Sequence, residues 1–219
     1  SDQIRVVTNK AEDSAHSDDV AVIIPHYRQG GPDYLAERLG HYDRLPGNLK
    51  KHLYFVIVDD GAPVAATLPD ANLNVTRLRI LGDISWNHGG ARNLGACFTC
   101  APKLLLIDMD QIVTPEAFSF MVHKKLNINE VWRFKGSRKG ETIDVHANTF
   151  FLRKDYFLLL NGYDEDFCGL YGHEDTFLTT YAFPMHGADV HISDIPIVDY
   201  SAEVMENPSH GLTRDAARN

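Results

Sequence analysis

The chain has 219 residues, 44% of them hydrophobic, and 21 Lys and Arg against 30 Asp and Glu leave a formal charge of -9. That is enough apolar material for one sizeable core in a single domain and excludes a disordered chain. The charge excludes a nucleic-acid backbone or an anionic membrane as the main partner, because both reward clustered Lys and Arg.

Residues 1–19 are polar and without periodicity, and read as a loose leader or short surface arm. No stretch of roughly 18 apolar residues occurs, so neither a membrane span nor a signal peptide is visible. Val20-Ala21-Val22-Ile23-Ile24-Pro25 reads as a buried strand closed by a proline that cannot donate to a central ladder. A helix follows between Pro32 and Tyr42, with apolar spacing at Tyr34, Leu35, Leu39 and Tyr42 and proline at its start. The second strand is Tyr54-Phe55-Val56-Ile57-Val58, which delivers Asp59 and Asp60 at its end. A third is expected at residues 74–81. The stretch 86–96, with Gly89, Gly90 and Arg92, reads as a glycine-bearing loop entering a helix. Strands alternating with helices imply right-handed crossovers and a mostly parallel central sheet flanked by helices.

Leu104-Leu105-Leu106-Ile107 is too short for a helix and reads as a central strand buried on both faces. It ends in Asp108-Met109-Asp110. Alternation along an extended chain points 108 and 110 the same way and Met109 the opposite way. In an open α/β sheet the carboxyl ends of the strands collect ligands, and two hard oxygen donors there suit Mg²⁺ or Mn²⁺. The bland alternative is an acidic loop capping the helix that begins near Thr114-Pro115-Glu116. Beyond it the pattern predicts a helix near 115–125, extended stretches at 131–135 and 143–152, a helical turn at 155–160, a loop at 163–167, a helix opened by His173-Glu174-Asp175, and a last strand at 190–198. Cys97, Cys100 and Cys168 give an odd count with no disulfide framework, favouring a reducing compartment. Cys97 and Cys100 form a C-x-x-C with no second pair to complete a zinc site, and read as small core residues of a helix.

Carboxylates thus stand at three separate positions: Asp59/Asp60, Asp108/Asp110 and Glu174/Asp175. A parallel sheet brings the first two pairs to one edge. Arg92, on a first helical turn, can meet a phosphate or pair with Asp110 or its neighbours. Trp86, Trp132 and Tyr171 are candidate apolar platforms for a ligand or ordinary core residues.

The blocks Val20-Ala-Val-Ile-Ile-Pro-His-Tyr, Val58-Asp-Asp-Gly-Ala, Gly90-Ala-Arg-Asn-Leu-Gly, Ile107-Asp-Met-Asp, Phe151-Leu-Arg-Lys, Asn161-Gly-Tyr-Asp-Glu-Asp-Phe and Gly172-His-Glu-Asp-Thr come in this order over residues 20–200. Together they resemble a family 2 glycosyltransferase with the GT-A fold. The resemblance implies a nucleotide-binding half at about 20–113, an acceptor-binding half at about 114–200 and a tail at 201–219. It implies a UDP-sugar donor with Mn²⁺ or Mg²⁺, and transfer with inversion to a hydroxyl of a glycan or glycoconjugate, as in polysaccharide biosynthesis. Pro25, His26, Tyr27 and Arg28 would lie along the nucleotide, with one of Asp59 or Asp60 reading uracil. Arg92, Asp108 and Met109 would lie near the donor, and Asp110 would ligate the metal beside Asp108. Asp175, paired with Glu174, would be the catalytic base. His26 and Ala62 depart from the commoner Thr or Ser and Ser. The histidine often found after Ile197-Val198-Asp199-Tyr200 is missing, and His210 is the best substitute as third ligand, with His191 and His186 behind it. The implied setting is cytoplasmic, or peripheral to a membrane through segments outside this chain. A nucleotidyltransferase and a non-catalytic sugar-nucleotide or glycan-binding module remain the alternatives.

Overall fold

A computed structural model describes residues 4–8, 16–30, 33–170 and 172–200. In chain order its elements are β1 (Ile4–Thr8), β2 (Val20–His26), α1 (Tyr34–Tyr42), α2 (Gly47–Lys50), β3 (Leu53–Asp60), β4 (Asn74–Ile80), α3 (His88–Phe98), β5 (Lys103–Leu106) and β6 (Gln111–Ile112). There follow α4 (Pro115–His123), β7 (Glu130–Arg138), β8 (Glu141–Val145), β9 (Phe150–Arg153), α5 (Lys154–Leu159) and α6 (His173–Phe177). From α6 the chain continues through a π-turn (Leu178–Ala182) into α7 (Phe183–Met185) and ends in β10 (Asp189–Asp199). The expected strands and helices are present with boundaries moved by a few residues, except that the stretch expected to be extended at 143–152 is two strands, β8 and β9, parted by an irregular segment at 146–149. Among the described residues no helix is long and apolar enough to cross a membrane.

The strands form one ten-stranded sheet in the order β1-β4-β3-β2-β5-β9-β7-β10-β6, with β8 paired to β7. The expected parallel pairing holds for β4, β3, β2 and β5. Beyond them β9 runs antiparallel to both β5 and β7, so the sheet as a whole is mixed. Side-chain alternation splits β2 between two cores. Val20, Val22 and Ile24 pack with Leu35, Leu39, Tyr42, Phe118 and Met121 on the face covered by α1 and α4. Ala21 and Ile23 pack with Ala91, Ala96, Tyr156 and Phe157 on the face covered by α3 and α5. A strand buried on both faces cannot show a polar-apolar alternation, which is why these read as continuous apolar runs.

Two helix starts bear on the site. Asp33 caps α1, accepting from Ala36 N at 3.3 Å, while Pro32 lies outside the described residues. Thr114 caps α4, accepting from Ala117 N at 3.2 Å, so that helix needs neither Asp108 nor Asp110.

Two expectations are corrected. Part of the supposed leader is ordered: Ile4–Thr8 adds an edge strand antiparallel to β4, with Ile4 opposite Ile80 and Thr8 opposite Thr76. Its β-branched run is short and its partner lies some 70 positions away, so no local pattern marks it. Residues 1–3, 9–15 and the proposed tail 201–219 lie outside the described residues. Cys97 and Cys100 are exposed rather than core residues. The helix buries Gly89, Gly90, Ala91, Arg92, Gly95 and Ala96, and its helical period turns Cys97 away from that face.

Gly95 lets α3 lie close to the sheet, since a Cβ there would stand 2.6 Å from Ile23 Cγ2 and 3.3 Å from Val58 Cγ2. Gly→Ala inside a helix ordinarily stabilises by about 0.5–1 kcal/mol. Here the methyl group collides with two buried side chains, and Gly95→Ala should destabilise by about 1–3 kcal/mol in urea unfolding. A gain in stability would refute the close contact.

Candidate active site

β5 stops at Leu106, Ile107 N donates to Ile23 O at 3.2 Å, and the chain turns out of the sheet carrying Asp108, Met109 and Asp110. Met109 packs against the core under α1, and its carbonyl accepts from Arg38 Nε at 3.1 Å. It does so from a turn closed by Gln111 N donating to Asp108 O at 3.3 Å, not from the extended chain that alternation assumes. Asp108 and Asp110 meet the first turn of α3, the loop before β9 and the start of α6.

Asp108 is held on three sides. Its Oδ1 lies 2.6 Å from Arg92 Nη2 and 2.8 Å from His88 Nε2, and its Oδ2 accepts from Asn148 Nδ2 at 3.1 Å. Burial opposes its ionisation, but the charges of Arg92 and His88 outweigh that and hold its carboxyl well below the usual carboxylate range. Arg92 is fully buried. Besides Asp108 it donates to the Tyr163 hydroxyl at 2.5 Å and to Asn148 O at 2.8 Å, and its Nη1 stands 3.6 Å from Asp175 Oδ1. The Tyr163 hydroxyl in turn hydrogen-bonds Asp175. Gly89 makes this possible, because a Cβ there would come within 2.9 Å of Tyr163 Cβ. Arg92 therefore pairs with Asp108 and Asp175 rather than with Asp110.

Asp110 is the opposite case. Burial, together with the charge of Asp108, pushes its carboxyl up to about 6, and its Oδ1 has no hydrogen-bond partner. His146, in the loop between β8 and β9, brings Nε2 to 3.8 Å from Asp110 Oδ2. One donor atom from each of Asp108, Asp110 and His146 lies within 4.8 Å of the others. A half-buried carboxylate with one enclosed, unpartnered oxygen, beside a second carboxylate and an imidazole, lacks positive charge, and oxygen donors with one nitrogen suit Mn²⁺ or Mg²⁺. The residues present fit such an ion.

A second group adjoins the first. His88, Glu174 and Asp175 also bring donor atoms within 4.8 Å of one another. Trp86, at φ 40°, stacks on His88 at 5.5 Å and donates from Nε1 to Glu174 Oε1 at 3.0 Å. Burial raises the pKa of Asp175 and of Glu174, with Asp108 adding to the first and Asp175 to the second. Both carboxylates keep an oxygen without a hydrogen-bond partner, so helix capping does not consume them.

The expected nucleotide-side residues line the carboxyl edge of β2 and β3, where His26 sits opposite Asp59. Both Asp59 oxygens are engaged, by Ala62 N and Ala66 N of its own loop and by Arg79 Nη1 at 2.6 Å. Asp60 accepts from Asn87 Nδ2 at 2.8 Å, and burial lifts its carboxyl to about 6. His26 is buried with Nδ1 unpartnered, next to Pro25. Tyr27 reaches Asp83 at 3.4 Å and Arg28 reaches Asp33 at 3.5 Å.

Of the third-ligand expectations, His191 and His186 stand at other contacts, and His210 is not among the described residues. Tyr171 also lies outside the described residues. His191 stacks on Trp132 and pairs with Asp189, and His186 follows α7. Trp132 also packs edge-on against Phe120, so of the two tryptophans only Trp86 joins the carboxylate cluster. His146, Asn148, Asn87 and Tyr163 were not singled out from the sequence as site residues. They sit in irregular segments where periodicity carries no signal.

No family model matches the chain, and no curated protein sequence does. Solved structures do match. S. aureus TarS 1-349 aligns with TM-score 0.61 at 16% identity, over 85% of this chain and 62% of that one. Its complex with UDP gives 0.60 at 16% identity, over 90% and 67%. The catalytic domain of Drosophila beta1,4-galactosyltransferase 7, in complex with xylobiose, gives 0.57 at 12% identity, over 89% and 75%. The chain has a GT-A-like fold. At these identities the likeness is one of architecture, and the chain spans less than two thirds of the first of these structures. Within the GT-A frame, the carboxylate cluster occupies the carboxyl edge of the parallel strands, where α/β sheets bind ligands.

Replacing Arg92 with Leu leaves the buried Asp175 without its cation and the half-buried Asp108 with His88 alone. That should lower stability by about 3–5 kcal/mol in urea unfolding at neutral pH. Arg92→Lys should recover only part of it, because one ammonium cannot reproduce the fork that serves Asp108, Tyr163 and Asn148. A loss below about 1 kcal/mol for Arg92→Leu would show that the guanidinium is dispensable.

Proposed function

We propose that the chain is the catalytic domain of a metal-dependent, inverting glycosyltransferase of the family 2 type, moving a sugar from a UDP-sugar to a hydroxyl of a glycan or glycoconjugate. One observation carries the reading: Arg92 joins Asp108 at 2.6 Å to Asp175 at 3.6 Å, so a candidate donor-side carboxylate and a candidate base share one buried cation. The solved neighbours support it, one holding UDP and another xylobiose. Free cysteines suit a reducing, cytoplasmic setting.

In this reading residues 20–113 hold the donor, with Pro25, His26, Tyr27, Arg28 and the Asp59/Asp60 pair along the nucleoside, and residues 114–200 hold the acceptor. Asp108, Asp110 and His146 would hold the divalent ion, which supplies charge neutralisation to the departing diphosphate. Asp175 takes the proton of the acceptor hydroxyl as that oxygen bonds the anomeric carbon and the carbon–oxygen bond to UDP breaks. Its raised pKa makes it a better proton acceptor than an exposed carboxylate. Arg92 and Tyr163 fix its position, and Trp86 does the same for Glu174.

The test is product analysis with a panel of UDP-sugars and glycan acceptors. Release of UDP only when donor and acceptor are both present is expected. Pyrophosphate released from a nucleoside triphosphate would make it a nucleotidyltransferase, and donor binding without turnover would make it a binding module. Asp175→Asn should cut transfer by about 10²–10⁴-fold while donor affinity holds. Asp110→Ala and His146→Ala should each abolish the Mn²⁺-dependent rise in melting temperature caused by the donor. Because the base must be ionised and burial raises its pKa, transfer should fall with acid along a limb lying above the ordinary carboxylate range. A limb at or below pH 4 would remove Asp175 from that role.

A further inference from the structure

At the opposite, amino edge of the parallel strands a separate cluster stands outside the carboxylate site. We propose that His16, Asp19 and His52 form a second divalent-metal site, of a chemistry that suits zinc. One donor atom from each lies within 4.8 Å of the others. Asp19 is buried, with 3% exposure. Its Oδ2 accepts from the main-chain N–H of His16 at 2.7 Å, and its Oδ1 lies 2.9 Å from His52 Nδ1. Each oxygen retains a lone pair. Among the described residues no Lys or Arg forms an ion pair with Asp19. The cation whose charge reaches it, Lys103, spends its ammonium on the carbonyls of Met121 at 3.0 Å and Val122 at 2.7 Å. A buried anion thus faces two imidazoles whose ring centroids are 5.5 Å apart. Asp18 adds a second carboxylate at the rim, its Oδ2 3.7 Å from His16 Nδ1.

Two imidazoles and a carboxylate are a zinc donor set, with water filling the remaining position. Tetrahedral bonds of about 2.0–2.2 Å put neighbouring ligand atoms about 3.3 Å apart. The cluster can contract to that spacing, because the His16 side chain is 63% exposed and can turn toward the buried pair. The backbone is already tied on both sides, by Asp19 N to His16 O at 2.9 Å and by Val20 N to His52 O at 2.9 Å. A bound ion would therefore fasten the turn before β2 to the start of β3. It would do so at the far end of a seven-residue strand, about 20 Å from Asp108 at roughly 3.3 Å per residue.

The test uses the whole chain, stripped with chelator and titrated with zinc chloride by calorimetry, with bound metal measured by mass spectrometry after dialysis. Of the two other clusters, the one at Asp108, Asp110 and His146 is removed in an Asp110→Ala/His146→Ala background, and the histidine substitutions tell zinc at His16, Asp19 and His52 from zinc at His88, Glu174 and Asp175. One zinc equivalent retained there is expected, with a rise in melting temperature, and adding His16→Ala or His52→Gln should weaken binding at least tenfold. In the otherwise unaltered chain His16→Ala should remove one equivalent and leave glycosyl transfer unchanged, which separates this site from the proposed function. Circular dichroism checks that each variant is folded. No zinc bound in the double-variant background, or an affinity that neither histidine substitution moves, would overturn the site. Should that background fail to fold, a stoichiometry unaltered by His16→Ala in the original chain would do the same.

Discussion

The link between Asp108 and Asp175 at the carboxyl edge depends on one buried guanidinium. Arg92 is fully enclosed, and enclosing it costs several kcal/mol that only close, hydrogen-bonded anions and carbonyls offset. Asp108, Tyr163 and Asn148 supply those contacts, and Asp175 stands just beyond them. The compensation is uneven, and the unevenness is informative. Asp108 receives Arg92 and His88 directly and is held ionised, whereas Asp110, two residues on, receives neither and is lifted to about 6. One carboxylate serves as an anchored anion and the other as an anion in want of a cation. Two neighbours in a chain can differ so far only where the dielectric is low and the cation is placed on one side.

Much of this was legible in the residues themselves. Short apolar runs bounded by proline, glycine or acids could only be strands buried on both faces, and β2, β3 and β5 lie where those runs stand. The Met109 side chain packs on the α1 side of the sheet, but a turn at 109–110 rather than a period of two puts it there. His146 and Asn148 were not legible, because they occupy a short irregular segment with neither period nor motif. The resemblance expects a histidine after Tyr200, which this sequence lacks, and its substitute His210 lies outside the described residues. The stretch ending at Tyr200 does come to the site, as main chain and carboxylate: Tyr200 N donates to Asp110 O at 2.7 Å, and Asp199 adds negative charge beside Asp110. The exposed cysteines show a limit of the same kind: Cys97 lies on the outer face of α3, and Cys100 lies beyond its end at Phe98.

Why His146 can reach the site follows from the direction of one strand. In the parallel group β3-β2-β5 every carboxyl end points to the same edge, so only loops that follow a strand could arrive there. β9 runs the other way, with Phe150 opposite Leu106 and Arg153 opposite Lys103. Its amino end therefore lies at the carboxyl edge of β5, and the residues that precede it, 146 to 149, are delivered beside Asp108 and Asp110. Reversing again, β7 is antiparallel to β9, and β10 is parallel to β7. β10 then points with β5, and its carboxyl end brings Asp199 opposite Gln111, one residue beyond Asp110. A wholly parallel sheet would have carried the loop before β9 to the far edge and separated His146 from Asp110 by the length of the strands. The mixed half of the sheet is thus what completes the donor set that the parallel half begins.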